Sequence, residues 1–230
     1  MIAGAWLCLL APLAGTLAIT LAGTSISRRT AAWIGTGSCA VAFAGAVWSF
    51  FALWLQRTPF ARSEIWSAWT WLQSGDLRVG LSVLVDPLSA LMMLVVSGVG
   101  MLIVAYSIGY MDGDDEERRY FAYIAFFVFS MLLLVEGGNL LLLLVGWGLV
   151  GLSSYLLIGF WQERPSAVQA AKKAFVMNAF GDATMALALF VLFTHSRSLD
   201  FVPTFNVASS IAFMTNAFFA SATAEGRSWW

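Results

Sequence analysis

The chain alternates long runs of apolar residues with short polar breaks, and seven of these runs are long enough to form membrane-spanning helices. They extend over residues 3–23, 31–55, 87–109, 119–135, 139–160, 168–194 and 206–223. A helix needs about 20 mostly apolar residues to cross the hydrocarbon core of a bilayer. The last run is the weakest, because polar residues such as Asn206 and Asn216 interrupt it. The pattern therefore predicts an all-α membrane protein with about seven transmembrane helices.

The composition supports this prediction and excludes other classes of protein. Apolar residues make up 60% of the chain and charged residues 11%, whereas soluble domains have about 25% charged residues. The net charge of −1 offers no basic surface for nucleic acid. Cys8 and Cys39 lie inside apolar runs at no metal-ligand spacing, so we expect small core residues and no metal site.

The basic residues predict how the chain is oriented, because cytoplasmic loops of membrane proteins are enriched in lysine and arginine. The breaks after runs one, three and five carry Arg28, Arg29, Arg118, Arg119, Arg164, Lys172 and Lys173. The other breaks carry Arg57, Arg62, Arg78 and Arg197. We therefore expect a multi-pass protein of the cell inner (plasma) membrane with a periplasmic (outside) N-terminus. No basic residue precedes the first run, which favours a retained span over a signal peptide.

The loop over residues 56–86 has a pattern of its own. Trp66, Trp69 and Trp71 stand beside polar residues, as aromatic side chains at a membrane interface do. Residues 77–84 loosely alternate after the turn signal Ser74-Gly75-Asp76, which predicts a short β-hairpin.

Asp86 and Pro87 form a start signal for the third helix. An aspartate at the cap position accepts hydrogen bonds from free backbone amides, and a proline at the first helical position loses none. A structural cap is therefore a sufficient explanation for Asp86.

Asp182 is the clearest candidate for chemistry, since ionisable groups inside lipid-embedded helices are expensive and are usually functional. It lies near the middle of the sixth run, ten residues or about 15 Å beyond Lys172. Asn178 lies one helical turn before it and is in a position to hydrogen-bond with it. A carboxylate at that depth needs a partner, water or a proton, which is the chemistry of a proton relay. The alternative is a structural aspartate that is hydrogen-bonded to a neighbouring helix.

Four other ionisable residues have simpler interpretations. Lys172 and Lys173 are expected to extend from the helix start to the membrane surface. Glu136 lies in the break between the fourth and fifth runs, and we expect an interfacial position with access to water. His195, the single histidine, stands at the end of the sixth run and is weak evidence for a proton shuttle.

Several motifs between residues 75 and 205 carry a specific resemblance to a known family. They are Val85-Asp86-Pro87-Leu88-Ser89, Tyr106-Ser107-Ile108-Gly109-Tyr110-Met111, Phe121-Ala122-Tyr123, Asn139-Leu140-Leu141-Leu142, the block from Gly146 to Trp161, Lys172-Lys173-Ala174-Phe175, and Asn178-Ala179-Phe180-Gly181-Asp182. With them the chain resembles the N-terminal portion of the L-type antiporter-like, proton-translocating membrane subunit of respiratory complex I (NADH:quinone oxidoreductase). More broadly it is similar to the superfamily that includes multisubunit cation/proton antiporters.

The resemblance implies a subunit of about fourteen core helices with two inverted five-helix repeats, crossed by a line of ionisable groups at mid-depth. The implied activity is proton translocation coupled to NADH:quinone electron transfer, with Asp182, Asn178, Lys172 and Lys173 along the proton path. No cofactor is expected in this chain, since FMN, iron–sulfur clusters and quinone would be held by partner subunits. Its partners would be the other membrane-arm subunits and the lipid bilayer.

The chain departs from the family pattern at several positions. The family's pumping glutamate is replaced by Gly148, and its arginine in the sixth span by Ala179. The usual Ala-Asp before Asn139 is here Gly137-Gly138. Because a buried arginine without acidic partners would be costly, losing both residues suggests a concerted change. Our hypothesis is that Asp182 is the sole remaining acidic site of an altered or idle proton path.

The resemblance divides the chain into three regions. Residues 1–110 match the family's N-terminal extension, with three helices and the Trp-rich loop, and residues 111–205 the start of the antiporter-like domain. Residues 206–230 are atypical and suggest a truncated or frameshifted end.

The sequence has no nucleophile–base pair, metal cluster or phosphate loop, so any enzymatic activity is expected to belong to the assembly. The alternatives are a subunit of a cation/proton antiporter, membrane-bound hydrogenase or inorganic-carbon uptake complex, and a non-pumping structural fragment.

Overall fold

The computed structural model describes residues 1–55, 64–74 and 77–201. Within them, six helices are long and apolar enough to cross a membrane. The elements are α1 (Ile2–Ala22), α2 (Arg28–Trp54), β1 (Glu64–Ser74), β2 (Leu77–Val85), α3 (Pro87–Tyr110), α4 (Glu117–Glu136), α5 (Leu140–Ile158) and α6 (Pro165–Ser196). The first six predicted spans and the all-α membrane class are confirmed. The predicted seventh span, 206–223, lies outside the described residues.

Helices α1 to α4 form the core, and small residues let α1 and α2 approach closely. A Cβ atom added to Gly45 would come within 2.6 Å of the carbonyl oxygen of Gly4. Small residues at such contacts are a general feature of helix packing in membranes. Cys8 and Cys39 are both free and fully buried here, which confirms their interpretation as small core residues.

The hairpin predicted in the 56–86 loop is present. β1 and β2 pair antiparallel, with register irregularities between Ser67 and Trp69 and between Thr70 and Leu72. Val79, Val83 and Val85 of β2 are buried against the helices, whereas the tryptophans of β1 are exposed. The hairpin is therefore a cover whose second strand lies against the helical core.

The start of α3 has the geometry of a capping box. The Asp86 carboxylate accepts a 2.7 Å hydrogen bond from the Ser89 amide, and the Ser89 hydroxyl accepts a 2.8 Å bond from the Asp86 amide. Pro87 occupies the first turn, where its missing amide hydrogen leaves no acceptor unsatisfied. These bonds also fix the exit of β2 into the membrane helix.

Polar contacts gather the connections into two sets at opposite ends of the bundle. Arg28, after α1, forms a 2.6 Å ion pair with Asp115, after α3. Arg119 at the start of α4 donates a 2.8 Å hydrogen bond to the carbonyl of Phe160, after α5. At the other end the α4–α5 turn contacts both the hairpin and the segment after α6. The helices thus alternate in direction, as consecutive membrane spans must.

Asn139 organises the α4–α5 turn. It is 1% exposed and caps α5, because its Oδ1 accepts a 2.9 Å hydrogen bond from the Leu142 amide. Its Nδ2 donates to the Gly80 carbonyl at 2.8 Å and lies 3.2 Å from the Ser82 hydroxyl. The next amide, that of Leu140, donates to the carbonyl of Leu199 at 2.9 Å. One turn therefore joins α5, the hairpin and the chain that follows α6.

Replacing this asparagine is expected to destabilise the fold. Asn139→Ala should lower the free energy of unfolding by about 2 kcal/mol, because a cap contributes about 1 kcal/mol and buried hydrogen bonds about as much again. The matched control is Ser27→Ala, which removes the exposed cap of α2 and should cost about 0.5 kcal/mol. Denaturant unfolding in detergent micelles measures both, and equal losses would contradict the special role of Asn139.

Candidate proton-transfer site

The α5–α6 pair holds the residues that the sequence marks for proton transfer, and three contacts define its register. A Cβ on Gly159 would lie 3.2 Å from the Cβ of Ala171. One turn further, the rings of Tyr155 and Phe175 have centroids 5.3 Å apart. The third contact, again one turn on, pairs Gly151 with Asn178: a Cβ on Gly151 would lie 3.5 Å from the Asn178 Nδ2. The two helices are therefore antiparallel, and each contact lies one turn from the last.

Continuing this register by one more turn brings Gly148 of α5 to about the level of Asp182 of α6, since a turn is three to four residues, although no Asp182 atom lies within 4 Å of a Cβ built on Gly148. Nothing in the sequence itself pairs Gly148 with Asp182. The packing of α5 against α6 brings Gly148, which has no side chain, to the level of the Asp182 carboxylate.

The Asp182 carboxylate is held partly inside the pair. Its side chain is partly buried, and Oδ1 is inaccessible and has no hydrogen-bond partner among the described residues. The hydrogen bond suggested by the one-turn spacing from Asn178 is not formed, because Asn178 points towards Gly151 instead. That expectation was wrong: residues on one face of a helix need not bond when the neighbouring helix offers space to one of them.

Gly148 leaves free space at the level of Asp182. A Cβ atom built there would meet nothing within 4 Å among the described residues. Ala179 lies on the exposed side of α6. The two substituted positions therefore lie on different helices of the pair, Gly148 on α5 and Ala179 on α6.

The remaining basic candidates lie away from this position. Lys172 and Lys173 are exposed near the start of α6, and neither forms an ion pair within the described chain. His195 is exposed at the end of α6, with its Nδ1 2.9 Å from the Val191 carbonyl. Neither the lysines nor the histidine is brought to Asp182 here.

The prediction that Glu136 is interfacial is wrong. Glu136 was expected at a water-accessible interface, but it is 0% exposed, and neither carboxylate oxygen has a hydrogen-bond partner among the described residues. β2 lies over the adjacent α4–α5 turn through a bridge between Val83 and Gly137, so this end of α4 is covered. Two consecutive glycines after the glutamate were the available signal, because they permit such a close approach. Asp182 is therefore not the sole buried acid.

Two family models match the chain. Residues 71–121 match the N-terminal region of chain 5 of NADH-ubiquinone oxidoreductase (complex I). Residues 137–226 match the transmembrane family of NADH:quinone oxidoreductase and Mrp antiporters. Together the two matches include the capping box, the α4–α5 turn and all of α5 and α6.

Individual relatives agree with these matches. The chain is 45% identical over 202 residues to NADH-quinone oxidoreductase subunit L of Mycobacterium tuberculosis (strain ATCC 25618 / H37Rv), covering 87% of this chain and 31% of that protein. It is 39% identical over 198 residues to subunit L of Escherichia coli (strain K12), covering 85% and 31%. The chain thus spans about a third of the length of these relatives.

A solved structure shows the same fold. It is that of the membrane-bound sulfane sulfur reductase, an archaeal respiratory membrane complex, with a TM-score of 0.73 over 85% of this chain and 38% of the matched chain. The sequence identity is 15%, so the likeness concerns the helical arrangement alone.

Proposed function

Since this chain belongs to the antiporter-like membrane subunits of NADH:quinone oxidoreductases and Mrp antiporters, we propose that it takes part in proton translocation coupled to NADH:quinone electron transfer. The observation that carries the proposal is the Asp182 carboxylate, held within a membrane helix with one oxygen buried and unpaired. The chain would contribute to this activity as one subunit of a multisubunit translocase. FMN, iron–sulfur clusters and quinone would be held by partner subunits.

In the proposed mechanism Asp182 binds a proton and releases it when water or a cationic group approaches. Ionisable groups within membrane helices commonly form proton relays, which supports this role for Asp182. Release then depends on a partner that stabilises the anion.

The proposal is tested on the complete assembly. Membrane vesicles that contain this chain should acidify during NADH oxidation with quinone, and vesicles in which its gene is deleted should oxidise NADH with fewer protons moved per electron. Fluorescence quenching of a pH-sensitive amine and NADH absorbance measure the two quantities. An unchanged ratio of protons to electrons would contradict the proposal.

A second candidate is a subunit of a cation/proton antiporter, which the description of the family matched by residues 137–226 also names. Such a complex exchanges a cation for protons without NADH oxidation. Sodium-driven proton exchange in NADH-free vesicles that disappears when the chain is deleted would favour it.

The presence of Gly148 in place of the family's pumping glutamate favours a third candidate, a non-pumping structural subunit. This candidate predicts that deletion of the chain impairs assembly of the complex.

For the orientation, we propose an N-terminus outside the cell, with the connection after α3 in the cytoplasm. The support is the excess of arginine and lysine in the connections after α1, α3 and α5. Asp112 after α3 and Gln73 in β1 are both exposed and lie in connections of opposite type.

Cysteine labelling tests this orientation. A membrane-impermeant maleimide added to intact cells is expected to label Gln73→Cys and not Asp112→Cys, and inside-out vesicles should reverse the pattern. The parent chain is the control, because Cys8 and Cys39 are fully buried and should stay unlabelled. Labelling of Asp112→Cys from outside would invert the proposed topology.

A further inference from the structure

The carboxylate of Glu136 is buried at the end of α4 without a hydrogen-bond partner among the described residues. Its side chain is 0% exposed, and neither Oε1 nor Oε2 accepts a hydrogen bond from the described residues. The ion pairs in the described chain, Arg28–Asp115 and Arg119–Glu116, are both at the opposite end of the bundle. An isolated buried carboxylate is costly to keep charged, so this position suits a carboxyl group that carries a proton.

Cys8 of α1 is the one titratable group of the described chain that acts on Glu136. Its thiol is fully buried and interacts with Glu136, although the geometry does not complete a hydrogen bond. The same thiol interacts with Ser97 of α3, whose hydroxyl donates to the Met93 carbonyl at 2.5 Å. The Glu136 carboxylate thus lies beside the Cys8 thiol of α1, and this thiol in turn lies beside Ser97 of α3, inside an otherwise apolar core.

Strand β2 covers the α4–α5 turn, at the end of the bundle nearest to Glu136. The Gly138 amide donates a 2.9 Å hydrogen bond to the Ser82 carbonyl, and Gly137 forms an isolated bridge with Val83. A Cβ on Gly138 would lie 2.5 Å from the Ser82 hydroxyl oxygen. The strand therefore closes on the turn at a distance that only glycine permits.

We propose that Glu136 is a second proton-binding site of this chain, separate from Asp182, and that β2 controls its access to water. The O–H bond of the carboxylic acid breaks when water enters, the proton passes to that water, and the carboxylate remains. The Cys8 thiol then reorients to donate a hydrogen bond to the carboxylate. The site belongs to α1, α3 and α4, and its proton exchange does not depend on NADH oxidation.

Infrared spectroscopy of the full chain in lipid bilayers tests the site. A carbonyl-stretch band of a protonated carboxylic acid at neutral pH should disappear in Glu136→Gln and survive in Asp182→Asn. Persistence of every such band in Glu136→Gln would overturn the proposal. The outcome is independent of proton pumping, so failure here and failure of the proposed function are distinguishable.

The two cysteines supply a second readout in the unmutated chain. Raising the pH until the Glu136 band is lost should shift the S–H stretching band of Cys8 and leave that of Cys39 unchanged, with Cys8→Ala and Cys39→Ala assigning the bands. Cys39 is an equally buried control in the same bundle. Equal responses of the two thiols, or none, would remove Cys8 from the site.

The role of β2 is tested by hydrogen–deuterium exchange of the same carboxyl band. Gly138→Ala should push β2 off the turn and accelerate the exchange several-fold. Gly37→Ala, where an added Cβ meets nothing within 4 Å, should leave the rate at that of the parent chain. An equal rate in Gly138→Ala and the parent, or no exchange in either, would overturn control of access by β2.

Discussion

Asp182→Asn is expected to reduce proton translocation by the assembled complex about a hundredfold, the lower end of what a proton-transferring group contributes. Asparagine keeps the size and polarity of aspartate but binds no exchangeable proton in this range of pH. Folding should be nearly unaffected, because Oδ1 makes no hydrogen bond within the described chain that the amide would lose. The measurement is the initial rate of NADH-driven proton uptake by vesicles, normalised to the amount of assembled complex.

The matched control is Asp112→Asn, the same chemical change at an exposed position between α3 and α4. It should leave proton uptake within a factor of two of the parent. Unchanged pumping in Asp182→Asn would exclude Asp182 from the proton path. Loss of pumping in both variants would indicate a general effect of removing negative charge.

Gly146→Ala is expected to lower the free energy of unfolding by about 2 kcal/mol, the usual range for overpacking a close contact. A Cβ on Gly146 would lie 2.7 Å from both the amide nitrogen and the Cα of Leu134. Backbone atoms in the last turn of α4 cannot rotate away as a flexible side chain can, so α4 and α5 would have to separate. This contact holds the α5–α6 pair against the core.

Gly148→Ala is the matched control, two residues along the same helix. Its added methyl group meets nothing within 4 Å, and alanine favours a helix over glycine by about 1 kcal/mol. The control should therefore unfold at the same denaturant concentration as the parent or at a higher one. Equal destabilisation of both variants would mean that glycine is needed for backbone flexibility and not for close packing.

The helices could be predicted from the sequence because a bilayer imposes a length and a polarity on each span. The cap at Asp86 follows from local rules, since both partners of the box lie within four residues. The hairpin was also visible, because turn residues and alternating positions are local signals. Each of these features depends on residues that are close together in the chain.

The environment of the acids could not be predicted in the same way. The turn that follows Glu136 is bridged by a strand more than 50 residues earlier in the chain, and no local pattern reports that contact. The bond from Asn178 to Asp182 was expected from spacing alone, but the direction of Asn178 is set by the space beside Gly151. The level of Gly148 relative to Asp182 depends on the register of two helices, which hydrophobicity does not define.

The α4–α5 turn has a mechanical consequence. Four residues, 137–140, are hydrogen-bonded on one side to β2 and on the other to the carbonyl of Leu199, just past the end of α6. The same turn therefore connects the chain that follows α6 to the hairpin. We expect an axial movement of the helix that carries Asp182 to reach β2 through this turn, since β2 bridges to Gly137 beside Glu136.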